Sequence, residues 1–299
     1  MVSMSSDLQE GIYYRSKPQI GNSFCIMSLR AENVSQISEI GGVVGQIWNI
    51  LVKLKKGIVL GLDTDSRHRK CGNLTVLVAY GPELFKIPGS QKEKPLSFGQ
   101  ISNFKPPFSE GGGEILEGSG LTYSPNTFSN HLLRDHLLFQ FVADNEFFTS
   151  RAAVEVWKEL NRLGKNRGSL PLRITGLYTG FQRADQRNWL GFHDGISNIK
   201  SSERPYVISI NSRDLTSQDY WTINGTYIAF IRIATNLEKW EDTATREQEI
   251  LIGRDKKTGC PLIGIDKNGY PLKDTRCPVP GTSEIIDRGN EYFREYQSY

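Results

Sequence analysis

Five neighbouring residues combine a carboxylate and an imidazole with flexible backbone: Gly191-Phe192-His193-Asp194-Gly195. A carboxylate between two glycines can approach a bound molecule closely, because glycine has no side chain to hold the backbone away. Such a carboxylate could then carry a proton during a reaction. Two other interpretations stay open: Asp194 could accept backbone N–H groups in an ordinary turn, or His193 and Asp194 could bind a divalent metal together with a further carboxylate.

Histidine is scarce in this chain, which limits the possible metal sites. Only four histidines occur in the 299 residues, namely His68, His131, His136 and His193. No histidine follows the pentapeptide. His131 and His136 flank a predicted strand, so we expect structural roles for them. Asp63, Asp65 and His68 form one further group that could bind a divalent cation.

The cysteines and the overall charge exclude several classes of protein. Cys25, Cys71, Cys260 and Cys277 form neither a CxxC pair nor a zinc-binding spacing, and Cys25 lies in an apolar run typical of a buried strand. A net charge of +3 is too small to favour nucleic-acid binding. The N-terminus lacks a secretory signal pattern, and no apolar run is long enough to cross a bilayer. We therefore expect a cytoplasmic protein with reduced thiols, no nucleic-acid partner and no membrane span.

Strand and helix patterns alternate along the first part of the chain. Residues 23–29 and 74–80 read as strands, and apolar residues recur at helical spacing between 37 and 54, with Ser35 as a possible cap and Gly57 as the stop. This order favours a ferredoxin-like α+β layer. A glycine- and proline-rich connection follows at 88–130, and its three consecutive glycines do not match a phosphate-binding loop.

A second α+β pattern follows this connection. Residues 136–142 read as a buried strand, and the next helix carries Val156, Trp157, Leu160 and Leu163 and stops at Gly164. Further strands are predicted at 206–210 and 225–233. Thr245 and Gln248 have capping-box spacing at the start of a helix that ends near Gly253. The segment after residue 254 is polar and rich in turn-forming residues.

The motif and its surroundings resemble a known family. Asn188–Asn198, with its GxxDG core followed by Asn, resembles the signature of dye-decolorising (DyP-type) haem peroxidases. Residues 225–233 with Asn236-Leu237, and then Glu247-Gln248-Glu249-x-x-Ile252-Gly253-Arg254, are similar to later segments of that family in the same order. Asp7–Gly11 resembles its opening segment. The resemblance runs from about residue 7 to about residue 260.

The resemblance implies an α+β fold of two ferredoxin-like halves with antiparallel sheets, in a dimeric α+β barrel-like arrangement. We assign residues 1–125 to the N-terminal half and residues 126–299 to the C-terminal half that carries the motif. The resemblance also implies haem b, peroxide and a small aromatic reductant. Asp194 would be the proton-carrying catalytic residue, with His193 beside it. The implied cofactor-binding residues are Gly191, Phe192, Gly195, Asn198 and Arg232.

One departure from the family concerns the iron ligand. The family's proximal His and distal Arg lie downstream of Gly253-Arg254, but residues 255–299 contain no His. Ile285–Gly289 faintly resembles the segment of the distal Arg, with Asp287 at that position and Arg288 beside it. We therefore expect either a portion of a longer peroxidase whose remaining elements lie beyond Tyr299, or a naturally short relative.

Several sources of an axial ligand stay open. They are Cys277 as a thiolate, Tyr292 or Tyr296 as a phenolate, a rearranged His, or a partner subunit. The alternative function is a haem-free or split relative that acts as a binding protein or uses its pocket for different chemistry. Trp189 and Tyr227 are candidates for electron relay. An incomplete sheet would expose an unpaired edge, which predicts a homo-oligomer or a partner chain that completes the sheet.

Overall fold

The computed structural model describes residues 8, 23–56, 58, 73–90, 135–193, 204–210, 217–226, 228 and 236–273. These residues belong to two compact units. The first unit contains the described residues up to 181 and those between 205 and 228. The second unit contains residues 182–193, 204 and 236–273.

The first unit is a four-stranded antiparallel sheet with two helices. In chain order its elements are β1 (Ser23–Ala31), α1 (Ile37–Lys55), β2 (Thr75–Tyr80), β3 (Leu137–Ala143), α2 (Glu146–Arg167) and β4 (Leu172–Phe181). The strand order β2-β3-β1-β4 combined with this βαββαβ sequence is the ferredoxin-like arrangement. The predicted α+β fold class is therefore confirmed.

Alternating apolar residues place one face of this sheet in the core. Leu137, Phe139 and Phe141 of β3 are buried, because every second side chain of a strand lies on the same face. Met27 and Cys25 of β1 pair with Phe139 and Phe141 and belong to the same apolar cluster as the buried residues of α1 and α2. Burial raises the pKa of the Cys25 thiol to about 11, so Cys25 is the inert core residue that the sequence predicts.

Both long helices begin or end at residues other than those predicted. At the start of α1 the carboxylate of Glu39, and not the Ser35 hydroxyl, accepts the backbone N–H groups of Ser35 and Gln36 at 3.0 and 3.1 Å. Helix α2 continues past Gly164 and ends at Gly168, which has φ +72°. Trp157, expected on the apolar face of α2, is 55% exposed.

Other differences come from elements whose local sequence is ambiguous. The strand β4 was not predicted, and the predicted strand at 206–210 is instead the end of a short helix, α3 (Arg204–Val207), followed by a turn. Residues 225, 226 and 228 are not in a strand, while the rest of that predicted strand lies outside the described residues. The division predicted at residue 125 stays a prediction; β3 and β4, which follow it in the chain, complete the sheet of β1 and β2.

The described part of the second unit contains two short helices and a hairpin. They are α4 (Leu237–Asp242), α5 (Thr245–Ile252), β5 (Leu262–Ile265) and β6 (Pro271–Lys273). Helix α5 ends at Gly253 with φ +73°, as predicted. The predicted capping box is wrong, because Ala244 is the N-cap residue and the Gln248 amide donates to the carbonyls of Trp240 and Thr243 instead.

Cys260 corrects the expectation of four reduced thiols. It is 6% exposed and disulfide-bonded, whereas Cys25 carries a free thiol. Disulfides persist mainly in oxidising environments. The cytoplasmic setting stays a prediction that this bond does not support. Among the described helices, none has both the length and the apolar character needed to cross a bilayer.

We predict that Phe139→Ala lowers the free energy of unfolding by about 3–5 kcal/mol, because it removes a fully buried ring from the core. Phe147→Ala is the matched control, since Phe147 is 65% exposed and surface substitutions usually change stability by less than about 0.5 kcal/mol. Urea unfolding followed by circular dichroism measures both. Equal losses in the two variants would contradict the assignment of Phe139 to the core.

We also predict that stability falls as the pH drops below the ordinary pKa of histidine, 6.5. Burial lowers the pKa of His136, and Arg30 lowers it further, against the opposing effects of Glu83 and Asp135. The unfolded chain therefore binds a proton at a higher pH than the folded chain, so this contribution is complete above about pH 6.5 and is lost below it.

The measurement is the urea midpoint of wild type and His136→Asn at about pH 7.5 and about pH 5.5. His136 Nδ1 accepts the backbone N–H of Ala31 at 3.1 Å, and the Asn side-chain oxygen can take over that role. We expect a smaller fall in the midpoint for the variant. An identical fall in both proteins would refute the assignment to His136.

Candidate functional site

The loop that carries the motif is closed by the side chain of Asn188. Its Oδ1 accepts the backbone N–H groups of Leu190 and Phe192 at 3.0 and 3.1 Å. The backbone of Asn188 also pairs with its neighbours, since its N–H donates to the Phe192 carbonyl and its carbonyl accepts the Gly191 N–H. Gly191 has φ +85°, a conformation that other residues rarely adopt. Local sequence thus determines the shape of this loop.

Phe192 anchors the loop in the second unit. Its side chain is 2% exposed, and its ring packs at 6.4 Å from that of Trp240, which is 5% exposed. The indole Nε1 of Trp240 donates to the Leu190 carbonyl at 3.2 Å. An apolar contact and a hydrogen bond therefore join the loop to helix α4.

Gln248 connects α4 and α5 to the turn that follows them. Its Nε2 donates to the carbonyls of Trp240 and Thr243 at 2.6 and 2.9 Å, and its Oε1 accepts from Nζ of Lys256. The Lys256 ammonium also lies 5.6 Å from the centre of the Phe192 ring, a favourable cation–π distance. These contacts place the Lys256 side chain against the motif loop.

A second turn, residues 254–261, lies beside the motif loop. Oδ1 of the buried Asp255 accepts the backbone N–H and the hydroxyl of Thr258 at 2.6 and 2.5 Å. The Asp255 N–H donates to the Cys260 carbonyl at 2.8 Å, and the Gly259 N–H donates to the Asp255 carbonyl at 2.7 Å. This network is internal to the turn and leaves the carbonyls of the intervening lysines available to other donors.

Arg187 joins the loop to this turn. Its Nη1 donates to the carbonyl of Gly191 at 2.7 Å and to that of Lys256 at 2.5 Å. Its Nη2 lies 3.0 Å from Nε2 of His193 and 3.4 Å from the Lys257 carbonyl oxygen. One rigid guanidinium thus contacts both segments, which its fixed fork of five N–H donors makes possible.

His193 is the last described residue of the motif, and its side chain is partly buried. Its Nε2 lies 3.0 Å from Nη2 of Arg187 and 3.1 Å from the carbonyl oxygen of Lys257, and its backbone forms an isolated bridge with Arg187. The ring and the backbone of His193 are therefore both held in place. Asp194 follows directly in the chain.

The structure describes three of the predicted site residues, Gly191, Phe192 and His193, and brings them together in one loop. Phe192 is a buried anchor of that loop, so its predicted contact with a cofactor stays a prediction. The remaining site residues lie outside the described residues: Asp194, Gly195, Asn198 and Arg232. The candidate relay residue Trp189 is 68% exposed, while Tyr227 is outside the described part.

Sequence reasoning missed the residues that hold the loop. Arg187 directly precedes the motif segment, and Asn188 is its first residue, but neither had been assigned a role. No local pattern in the sequence indicates that Trp240 and Gln248 support the loop. The acceptors of Arg187 are backbone carbonyls, which every residue possesses, so no sequence pattern identifies them.

The described residues do not by themselves fit a haem iron, because they provide no clear axial ligand. His136 uses Nδ1 as an acceptor in the first unit, and His193 has Nε2 within hydrogen-bond distance of Arg187 and Lys257. No group of three His, Cys, Asp or Glu side chains suited to a metal ion occurs in the part that the structure describes. The predicted group of Asp63, Asp65 and His68 lies outside that part, as do Cys277, Tyr292 and Tyr296.

Comparison with known proteins agrees with the resemblance found in the sequence. Residues 185–276, which contain the motif loop, both helices that support it and the 254–261 turn, match the family model "Dyp-type peroxidase, C-terminal". Through this segment the chain is similar to DyP-type peroxidases.

Similar curated proteins of this family include two named deferrochelatase. The one from Escherichia coli (strain K12) is 38% identical over 76 residues, which is 25% of this chain and 18% of that protein. The one from E. coli O6:K15:H31 (strain 536 / UPEC) is 35% identical over 85 residues, which is 28% of this chain and 20% of that protein. The matched part thus spans about a fifth of the length of these relatives.

Solved structures extend the likeness in fold to most of the chain. An X-ray generated oxyferrous complex of DtpA from Streptomyces lividans has a TM-score of 0.59 at 20% identity, covering 92% of this chain and 71% of that one. A DyP-type peroxidase from Cellulomonas bogoriensis has a TM-score of 0.55 at 19% identity, covering 85% and 67%. At such identities the likeness concerns the fold alone.

We predict that Gly191→Ala destabilises the protein by about 1–2 kcal/mol, because alanine at φ +85° is strained and its Cβ would lie 2.6 Å from Cε of Lys256. The matched control is Gly41→Ala inside α1, where a Cβ would meet nothing within 4 Å and alanine favours a helix by about 0.5–1 kcal/mol. Thermal unfolding compares the two. Stabilisation of both variants would contradict the described loop conformation.

Proposed function

We propose that this chain is a haem-binding member of its family that oxidises a small aromatic or other organic reductant with peroxide. The similarity to the family supports the reaction class, and the matched segment is the one that contains the motif. Haem, when bound, would supply the redox chemistry. The protein then has to bind the substrates, orient them and move protons.

The observation that carries this proposal is the fixation of the motif loop on two sides. Phe192 is buried against Trp240, and Arg187 donates to the Gly191 and Lys256 carbonyls. A catalytic group acts efficiently only when its position is fixed. A loop held in this way would give Asp194, the residue after His193, a defined position from which its carboxylate accepts and returns a proton.

The axial ligand is the part of the proposal with no support among the described residues. The candidates from the sequence remain Cys277, Tyr292, Tyr296, a rearranged His and a partner subunit. The alternative function stays open: a haem-free or split relative that acts as a binding or partner protein or uses its pocket for different chemistry. A homo-oligomer, or a partner chain that completes a sheet, also stays a prediction.

The reductant site is proposed at the exposed side of the same loop. Trp189 is 68% exposed, and the guanidinium of Arg183 lies 6.0 Å from its ring. An exposed indole next to the loop could pass an electron from a reductant too large to enter a cavity. A phenolic compound serves as the reductant in the experiment below.

The test is hemin titration of the purified full chain, followed by peroxide and a phenolic reductant. We expect a Soret band, peroxide-dependent oxidation, and a loss of at least about 100-fold in rate for Asp194→Asn, since general acid–base catalysis contributes about 10²–10⁴-fold. Asp242→Asn is the matched control: Asp242 is exposed at the end of α4, so its loss should leave the rate unchanged.

Three outcomes would contradict parts of the proposal. Equal rates in wild type and Asp194→Asn would remove the proton-carrying role of Asp194. Absence of hemin binding would favour the haem-free alternative, and binding only in the presence of a second chain would indicate a split enzyme. Iron released from hemin is also measured in the same reactions, because similar curated proteins carry the name deferrochelatase.

A further inference from the structure

Arg187 determines which nitrogen of His193 can carry a proton. A guanidinium is always protonated and has only donors. Its Nη2 lies 3.0 Å from Nε2 of His193, a hydrogen-bond distance that is favourable only if Nε2 presents its lone pair. The neutral imidazole must then carry its proton on Nδ1.

The competing arrangement has the proton on Nε2 and donates it to the Lys257 carbonyl oxygen at 3.1 Å. In that arrangement the hydrogen on Nε2 and a hydrogen on Nη2 of Arg187 would be close together, and a charge-assisted hydrogen bond would be lost. Such bonds are about twice as strong as those between neutral groups. The Arg187 bond should therefore be the stronger of the two.

The Lys257 carbonyl does not require the proton of His193. Nη2 of Arg187 lies 3.4 Å from the same oxygen, so this carbonyl keeps a donor within reach when Nε2 has none. The acceptor groups around Arg187 are thus satisfied with the proton on Nδ1, whereas the arrangement with the proton on Nε2 leaves two donors facing each other.

We propose that Arg187 is a positioning residue that holds neutral His193 as its Nδ1–H tautomer. Together with the proposed function, on which this step rests, the assignment separates the roles of the two neighbouring titratable groups. His193 would offer an N–H donor at Nδ1, while the proton acceptor of the pair would be the Asp194 carboxylate. Arg187 would act through His193 and would not contact the substrate.

The test is ¹⁵N NMR of the histidine side chains in the full chain without added hemin, in mildly alkaline buffer where imidazoles are neutral. The signals of His193 are assigned with His193→Gln. We expect a lone-pair-type shift for Nε2 and a protonated-type shift for Nδ1, with the Nδ1–H tautomer in about tenfold excess or more. Arg187→Met removes every guanidinium donor and keeps a similar side-chain length. In this variant we expect the proton to lie on Nε2, which then donates a hydrogen bond to the Lys257 carbonyl oxygen.

Arg246→Met is the control, because Arg246 is exposed on α5 and its guanidinium lies 4.7 Å from the centre of the Tyr270 ring. The His193 signals should not change in it. A wild-type protein with the proton on Nε2, or a mixture of the two tautomers, would overturn the proposal. So would an unchanged tautomer in Arg187→Met.

If Arg187→Met does not fold, Arg187→Leu replaces it, and the wild-type spectrum alone still tests the tautomer. Because no hemin or peroxide is present, the tautomer result is independent of the outcome for the proposed function. A chain that keeps the Nδ1–H tautomer but binds no hemin would support this inference and contradict the proposed function.

Discussion

The contact between Arg187 and the carbonyl of Lys256 joins segments 69 residues apart in the chain. Without it, the motif loop would lose one of its hydrogen bonds to the 254–261 turn, and its own turn, the packing of Phe192 and the Trp240 N–H bond to Leu190 would have to hold it. A guanidinium suits this position because its donors are fixed in one plane and can reach acceptors on two segments at once. A lysine ammonium would offer a single centre, so the same geometry would not be reproduced.

The surroundings of this contact follow from the need to satisfy buried polar groups. Around the Phe192–Trp240 pair, the indole N–H donates to Leu190, and the Gln248 amide caps the carbonyls at the end of α4. The Asp255 carboxylate, 1% exposed, accepts two bonds from Thr258. Polar groups thus take part in the interior of the described part of this unit.

The similarity to the family and the described chemistry carry different weight. The family model matches the segment that positions the motif, whereas the curated relatives are matched over about a fifth of their length. The first unit has the ferredoxin-like topology without a described residue suited to iron. The described residues hold the loop that precedes Asp194, the proposed proton carrier, and the source of an iron ligand is a separate question.

The sequence predicted elements well where periodicity and flanking residues agree. Strands β1 and β3, helix α1 and the end of α5 at Gly253 are of this kind. Where local signals were weak, tertiary packing decided: residues 206 and 207 belong to a short helix despite their β-branched and aromatic neighbours, and α2 passes through Gly164. The pairing of β3 and β4 with β1 is a long-range choice with no local signature in the sequence.

By itself, the sequence determined the shape of the loop, because Asn188 and Gly191 close it through contacts within five residues. It also indicated the family, since the motif and its spacing are contiguous. Only the tertiary structure decided what holds the loop and how His193 is oriented. The acceptors of Arg187 are backbone carbonyls on a distant turn, and a carbonyl becomes a partner through its place in space and not through the side chain of its residue.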